Sequence, residues 1–368
     1  MAILRFVKKN TVFCIAALAA LITAFLVPPD AAYWEYFDWK TLACLFLTLA
    51  VICALRNIKF FTILSRRLVQ LSGNLRSLFL LLIVITFIGS MIIANDMALI
   101  TFLPLGYFAL SVSHKESYMA YLFILQNISA NLGGMLTPFG NPQNLYLYSY
   151  FNIPTGEFCT IMLPPFLLAI FLLGVACVPV KSEKLTIKDD FSEPLNMRRT
   201  VLYLILFAFS LLIVFRVVHF LVGLILIPVI LFFVDRDALK AVDYPLLGTF
   251  FFFFIFAGNL SRLEVVNQFL SALMAREPLL VSVLSCQGIS NVPSAILLSR
   301  FTTDYRALLM GVNIGGTGTL IASLASLITF SEFRILYPGH GKQYFWMFTA
   351  INLAFLVIMF FAARFVFL

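Results

Sequence analysis

A chain of 368 residues with 62% apolar side chains, 11% charged side chains and a mean hydropathy of +1.02 lies far outside the usual composition of a globular protein. It reads as a polytopic membrane protein. The net charge of +8 does not point to nucleic acid, because Lys and Arg fall in short clusters between apolar runs and not along one soluble face.

Residues 1 to 27 carry a basic start (Arg5, Lys8, Lys9) and an apolar run from Thr11 to Val27. The run is long for a secretory signal and further spans follow, so an uncleaved first helix is expected. Full spans are expected near 11–27, 41–55, 158–178, 200–217, 219–234, 244–259 and 343–363. Polar residues interrupt four other apolar stretches. Of these, 77–113 reads as a re-entrant hairpin with its tip at Asn95-Asp96, and 118–150 as a crossing helix broken at NLGGMLTPFGNPQN, residues 131–144. The pair 278–303 and 305–331 corresponds to them in the second half, with a hairpin tip near 290–293 and a break near 313–319. The segment NIKFFTILSRRLVQL (57–71) has apolar residues at Ile58, Phe61, Leu64, Leu68 and Leu71 with basic residues between them, the pattern of an amphipathic helix in the membrane interface. Ser261 to Ala275 should behave likewise on the other side, and 180–199 is a hydrophilic linker. The fold class is therefore all-α and polytopic, with about 11 segments.

With the N-terminus cytoplasmic, the outside receives Lys40, Arg216, Arg262, Arg276, Arg300, Arg306 and Arg364, and the inside the other 18 of 25 basic residues. That bias supports the arrangement and puts the chain in a cytoplasmic (inner) membrane with its C-terminus outside. The same layout divides the chain into a first repeat (1–179), a linker with a connecting helix (180–218) and a second, inverted repeat (219–368). Asn131-Leu132-Gly133-Gly134-Met135-Leu136-Thr137 aligns with Asn313-Ile314-Gly315-Gly316-Thr317-Gly318-Thr319, and Ala94-Asn95-Asp96 with Ser290-Asn291-Val292. Inverted repeats with discontinuous helices are the signature of a secondary transporter with a midplane site.

Unwound backbone at membrane depth is tolerated only inside protein or beside a watery cavity. Gly133, Gly134, Pro138 and Pro142 break the first helix, freeing carbonyls that can ligate a hard cation and leaving a half-helix whose N-terminal amides favour an anion. Sodium would sit at carbonyls of Gly133, Gly134, Gly315 and Gly316. Candidate polar ligands are Asn95, Asn131, Thr137, Asn141 and Asn144 in the first half, and Ser290, Asn291, Asn313, Thr317 and Thr319 in the second. Ser323 and Ser326 read equally as ligands or as helix-packing residues. Asp96, a carboxylate amid the run SMIIANDMALITFLPL, marks an ion or proton path or caps the second hairpin arm. His114, His219 and His340 are expected at the solvated surface, and the phenylalanines at 250–254 as lipid-facing or packing bulk. The cysteines at 14, 44, 53, 159, 177 and 286 offer neither a C-x-x-C pattern nor a His partner, so neither disulfides nor a metal cluster is expected. No nucleophile and base, and no paired carboxylates, argue for an enzyme.

Ala94-Asn95-Asp96 followed by Pro104, GGMLTPFGNPQN at 133–144, SNVPSA at 290–295 and GGTGTLIASLAS at 315–326 resemble the ion transporter superfamily. That group includes arsenite permeases, sodium/proton antiporters, citrate transporters and divalent-anion/sodium symporters. The resemblance implies inverted repeats, two re-entrant hairpins, elevator movement and a homodimer. It places cation and substrate contacts at Asn95, Asp96, Thr137, Asn141, Asn144, Ser290, Asn291, Thr317 and Thr319. Dicarboxylate and citrate symporters of the group carry Ser-Asn-Thr at both tips, whereas this chain has Ala-Asn-Asp and Ser-Asn-Val, so the Asn-Asp form is similar to the arsenite-permease and citrate-transporter side. The expected function is secondary transport of a small anion, a carboxylate such as citrate or an oxyanion such as arsenite, coupled to sodium or protons. A sodium/proton antiporter without an organic substrate is the alternative within transporters, and an ion channel the alternative of another class. Expected partners are the anion, sodium or a proton, and the lipid bilayer; bound sodium is the one cofactor considered.

Overall fold

The computed structural model describes residues 10–69, 72–185 and 194–368. The basic start at Arg5, Lys8 and Lys9, the end of the amphipathic segment at Leu71 and the middle of the linker, with Lys188, lie outside the described residues.

The first half runs α1 (Thr11–Leu26), α2 (Trp39–Asn57), α3 (Phe60–Val69), α4 (Leu75–Ile93), α5 (Asn95–Val112), α6 (Met119–Gly133), α7 (Pro142–Tyr150) and α8 (Thr155–Cys177). A connecting helix α9 (Met197–Val214) follows. The second half is α10 (Phe220–Val234), α11 (Arg236–Lys240), α12 (Tyr244–Arg262), α13 (Glu264–Arg276), α14 (Pro278–Ile289), α15 (Asn291–Leu298), α16 (Tyr305–Ile314), α17 (Leu324–Leu336) and α18 (Gly341–Ala362). Among the described residues there is no strand, only an isolated bridge between Asn74 and Lys184. This is an all-α polytopic membrane protein.

Among the described residues seven helices are long and apolar enough to cross a membrane, including α2, α8, α9, α12 and α18 at expected spans. The other two are α4 and α5, the arms of the first hairpin, with 19 and 18 residues. At 1.5 Å per residue such arms reach about 27 Å, close to full membrane depth. The second hairpin is smaller, with arms α14 of 12 and α15 of 8 residues. At the expected spans 11–27 and 219–234, α1 and α10 are shorter, with 16 and 15 residues.

Corresponding elements begin for the same local reasons. Asp38 caps α2 by accepting from Thr41 N at 2.9 Å, and Asp243 caps α12 by accepting from Leu246 N at 3.0 Å. The packing is reciprocal as well. Helix α1 lies on α12 and α10 on α2. Each hairpin's first arm packs on the first part of its own broken helix, α4 on α6 and α14 on α16; its second arm packs there too and also on the last part of the other half's broken helix, α5 on α17 and α15 on α7. Close approach is bought by glycine at the outer contacts: a Cβ at Gly248 would stand 2.5 Å from the Phe13 ring, and one at Gly223 would stand 2.7 Å from Leu47.

Histidines 114, 219 and 340 are exposed, as expected, and Phe250, Phe253 and Phe254 are buried packing residues. In α3 the buried side includes Ile63 and Val69, while Leu64 is 48% exposed, an apolar residue turned outward as an interfacial helix allows.

Candidate functional site

Both hairpins turn on a single residue in the same strained conformation. Ala94 has φ 65° and ψ 152°, and Ser290 has φ 75° and ψ 159°. Neither is glycine, so each tip stores backbone strain that the surrounding contacts must hold. The holding bond is equivalent in the two halves. The amide of the next residue donates to a carbonyl in the break of its own half, Asn95 N to Gly140 O at 3.2 Å and Asn291 N to Ala322 O at 2.9 Å.

The first break is built by its short residues. A Cβ on Gly134 would lie 2.3 Å from Asn141 Oδ1, and one on Gly140 would lie 2.3 Å from Gly134 O, so the two ends of the unwound segment touch through backbone. Asn144, fully buried, closes it: its Nδ2 donates to Gly134 O and Met135 O at 3.2 Å and to Thr137 O at 3.3 Å. Thr137 Oγ1 in turn donates to Met91 O at the end of α4 at 2.8 Å, hooking break and hairpin together. The second break has a different staple, Gln287 on α14. Its Nε2 donates to Gly315 O at 2.8 Å and Thr317 O at 3.1 Å, and its Oε1 accepts from Thr319 N at 2.9 Å.

One buried amide network joins the halves. Asn95 Nδ2 donates to Asn131 Oδ1 at 3.2 Å. Asn141 Nδ2 donates to Asn131 O and, across to the second half of the chain, to Asn313 Oδ1, both at 3.1 Å. Asn313 Nδ2 donates to Asn144 Oδ1 at 2.6 Å and Leu309 O at 2.8 Å. Gln143 Nε2 adds a bond to Asn313 Oδ1 at 3.3 Å. Asn131 and Asn313, the asparagines that align between the N-x-G-G-x-x-T motifs of the two halves, thus belong to one cluster.

The members differ in what they leave open. Asn144 and Asn313 use both donor and acceptor. By contrast Asn95 Oδ1, Asn141 Oδ1, Gln143 Oε1 and Asn131 Nδ2 are buried without a hydrogen-bond partner among the described residues. Leaving such groups unpaired costs about 1–3 kcal/mol each, so three neutral oxygens and one donor in a single cluster are chemically matched to a ligand. Asp96, half-buried in the first turn of α5, likewise has Oδ1 buried and unpartnered.

The other second-half candidates gather elsewhere. Asn291 Oδ1 accepts from Val292 N at 2.9 Å and from Ser290 Oγ at 3.3 Å, while Thr317 Oγ1 donates to Ile314 O at 2.6 Å. Thr319 Oγ1 donates to Gln287 O at 3.1 Å. No hydrogen bond among the described residues links this group to the Asn95–Asn313 network. Of the four glycines considered for sodium, Gly134 and Gly315 direct their carbonyls to the amides of Asn144 and Gln287. Ser323 caps α17 through Ser326 N at 3.2 Å, and Ser326 Oγ reaches Asn127 Oδ1 at 3.3 Å.

Gln143, Gln287 and Asn127 are not among the residues expected from sequence. Gln143 lies inside the 131–144 motif, whereas Gln287 lies in an apolar helix four residues before Asn291, with no polar pattern around it to mark it.

Comparisons with known proteins point to membrane transporters. Residues 1–305 match the family model described as citrate transporter. An uncharacterized transporter of Methanocaldococcus jannaschii is 34% identical over 79% of this chain and 80% of its own length. The inner membrane protein YbiR of Escherichia coli is 26% identical over 94% of this chain and 92% of its own. A silicon efflux transporter of rice is 31% identical over 43% of this chain and 32% of its own.

Proposed function

The chain belongs to the citrate transporter family, and from that premise we propose that it is a secondary active transporter of a small anion, coupled to sodium or protons. It is a membrane transporter of the citrate and anion permease type, not an enzyme. The observation that carries the proposal is the network joining both broken helices, in which Asn95 Oδ1, Asn141 Oδ1 and Gln143 Oε1 are buried and open.

Three neutral oxygens suit sodium, a hard cation that prefers carbonyl ligands. The anion, a carboxylate such as citrate or an oxyanion such as arsenite, is then held by Asn131 Nδ2, the N-terminal amides of α7 and the co-bound cation, since none of the network residues is charged. Each ligand raises the other's affinity by the same factor. The rice relative's name adds a silicon compound to the substrates to be tried.

The two repeats, 1–179 and 219–368, are related by inversion across the membrane, with 180–218 connecting them. Reciprocal packing of hairpins on the opposite broken helices supports this relation. The hairpins and broken helices move as a body against α1, α2, α10 and α12, in the elevator manner the family resemblance implies, and the assembly is a homodimer on the same ground. The protein sits in an inner membrane with its N-terminus cytoplasmic, supported by the distribution of Lys and Arg and by the name of the Escherichia coli relative.

A second reading, sodium/proton antiport without an organic substrate, is favoured by the unpartnered Oδ1 of Asp96 beside the first tip. Purified protein in liposomes distinguishes the two. Counterflow of labelled citrate, succinate, phosphate, sulfate or arsenite under an imposed sodium or proton gradient is expected for one of them. Sodium-dependent pH change with no anion requirement would install the antiporter instead, and uncoupled flux without counterflow a channel.

A further inference from the structure

Gln126 lies on α6 five residues before Asn131, is fully buried, and makes no hydrogen bond to the network that joins the two breaks. Its Nε2 donates instead to Thr86 Oγ1 on α4 at 3.2 Å and to Phe102 O on α5 at 3.1 Å. Thr86 and Phe102 stand eight residues before and eight residues after Ala94, so one amide spans both arms of the first hairpin at the same level, about 12 Å from the tip. We propose that Gln126 is a positioning residue for transport: it sets the first hairpin against α6 so that Asn95 presents its open Oδ1 to the cation. The inference rests on the sodium reading of the network given above.

The surrounding sequence makes room for this contact. A Cβ on Gly106 would stand 2.9 Å from Gln126 Oε1 and 3.0 Å from Leu122, and one on Gly89 would stand 2.4 Å from the Phe102 ring. Glycine at both positions lets α5 lie close to α4 and α6. Among the described residues two side-chain hydrogen bonds join α5 to α6, Asn95 to Asn131 and Gln126 to Phe102. They lie about 8–10 Å apart along the helices. A single contact at the tip leaves α5 able to turn about it, and the second one removes that freedom. Asn95 depends on it, because Asn131 holds its Nδ2 and Gly140 its backbone amide, while nothing holds its Oδ1. The direction of that oxygen is therefore inherited from the placement of α5.

Folding alone does not call for an amide here. Gln126 Oε1 is buried without a hydrogen-bond partner among the described residues, an unfavourable arrangement that a methionine of similar length avoids. What the amide adds is a fixed distance between three helices.

The test compares full-length protein purified in detergent as wild type, Gln126→Met, Thr86→Val and Ser129→Ala. Thermal unfolding is followed without ligand and then as sodium chloride replaces potassium chloride at constant ionic strength, which yields an apparent sodium affinity. Gln126→Met should unfold close to wild type without ligand and bind sodium about tenfold or more weakly. Thr86→Val, which leaves Gln126 only its bond to α5, should weaken sodium in the same direction by a smaller factor, and carries the comparison should Gln126→Met not purify. Ser129 is equally buried on α6 but bonds only to Leu125 O of its own helix, at 2.7 Å, so Ser129→Ala should keep the wild-type affinity. Wild-type sodium affinity in both Gln126→Met and Thr86→Val, even with a lowered midpoint, would assign Gln126 to folding alone and overturn the proposal. So would an equal loss of affinity in Ser129→Ala. A wild type that ignores sodium altogether would instead remove the sodium reading itself, and this role with it.

Discussion

Asn144→Ala should destabilise the protein where Asn95→Ala does not, although both residues are buried asparagines of one network. Asn144 shares its two N–H groups among three carbonyls of the first break and accepts from Asn313 at 2.6 Å. That is at most three well-made bonds at once, and at about 0.6–1.5 kcal/mol each their loss comes to about 2–4 kcal/mol. Three backbone carbonyls at membrane depth are also left without this donor. Asn95 loses one bond of 3.2 Å and takes with it an oxygen that had no partner, so the two effects oppose and the net change should stay below about 1 kcal/mol. The assay is unfolding of both variants in mixed micelles without added ligand, alongside sodium-dependent stabilisation. Asn144→Ala should unfold more readily; Asn95→Ala should fold as wild type and lose the sodium response. Equal costs for the two variants, or a cost below about 1 kcal/mol for Asn144→Ala, would refute the division into staple and ligand.

Gly134→Ala should cost about 1–3 kcal/mol and abolish transport, because its Cβ would meet Asn141 Oδ1 at 2.3 Å and Gly140 O at 2.7 Å. Gly174→Ala in α8, with nothing within 4 Å, should be neutral or stabilising by about 0.5–1 kcal/mol, and thermal midpoints of the pair check both. Arg300 donates to Tyr36 O at 2.5 Å, tying the end of the second hairpin to the loop before α2, so Arg300→Ala should lower stability by about 1–2 kcal/mol in the same unfolding assay. The hydrogen bond from Lys115 holds the Glu183 carboxyl below its ordinary value of 4.5, as Arg262 does for Asp30 below 3.8. A carboxylate depressed in the folded state stabilises above its unfolded value, and that contribution fades as pH falls through the lowered one. The stability difference between wild type and Glu183→Gln should therefore be present at pH 6 and fade as the pH falls below 4.5 through the lowered value. Asp96→Asn should flatten the pH dependence of transport while leaving folding intact, measured in liposomes across pH 5 to 8; an unaltered profile would remove Asp96 from the coupling step.

Most of the fold was legible because the bilayer imposes simple rules on composition. The apolar runs at 41–55, 158–178 and 244–259 recur as α2, α8 and α12. What the letters did not reveal was reach. The arms of the first hairpin looked re-entrant because Asn95-Asp96 interrupts them, yet the turn takes a single residue, Ala94, and each arm keeps the length of a span. The site was legible as a set of residue types, since Asn, Gly and Pro have few reasons to concentrate at membrane depth. Their division of labour was not: Asn144 and Asn95 read alike until packing shows one saturated and the other open. Gln287 was invisible for a related reason, because a lone amide in an apolar helix gains its meaning from the carbonyls of another segment.

The central claim is that the open oxygens of Asn95 and Asn141 take a cation whose presence completes an anion site. Its most direct test is the thermal stability of the purified protein in sodium against potassium at constant ionic strength, alone and with citrate, succinate, phosphate, sulfate or arsenite, for wild type, Asn95→Ala and Asn141→Ala. The account predicts a saturable sodium-specific shift, enlarged by one anion and absent from both variants. A sodium shift that both variants retain, or no shift with any combination, would contradict it.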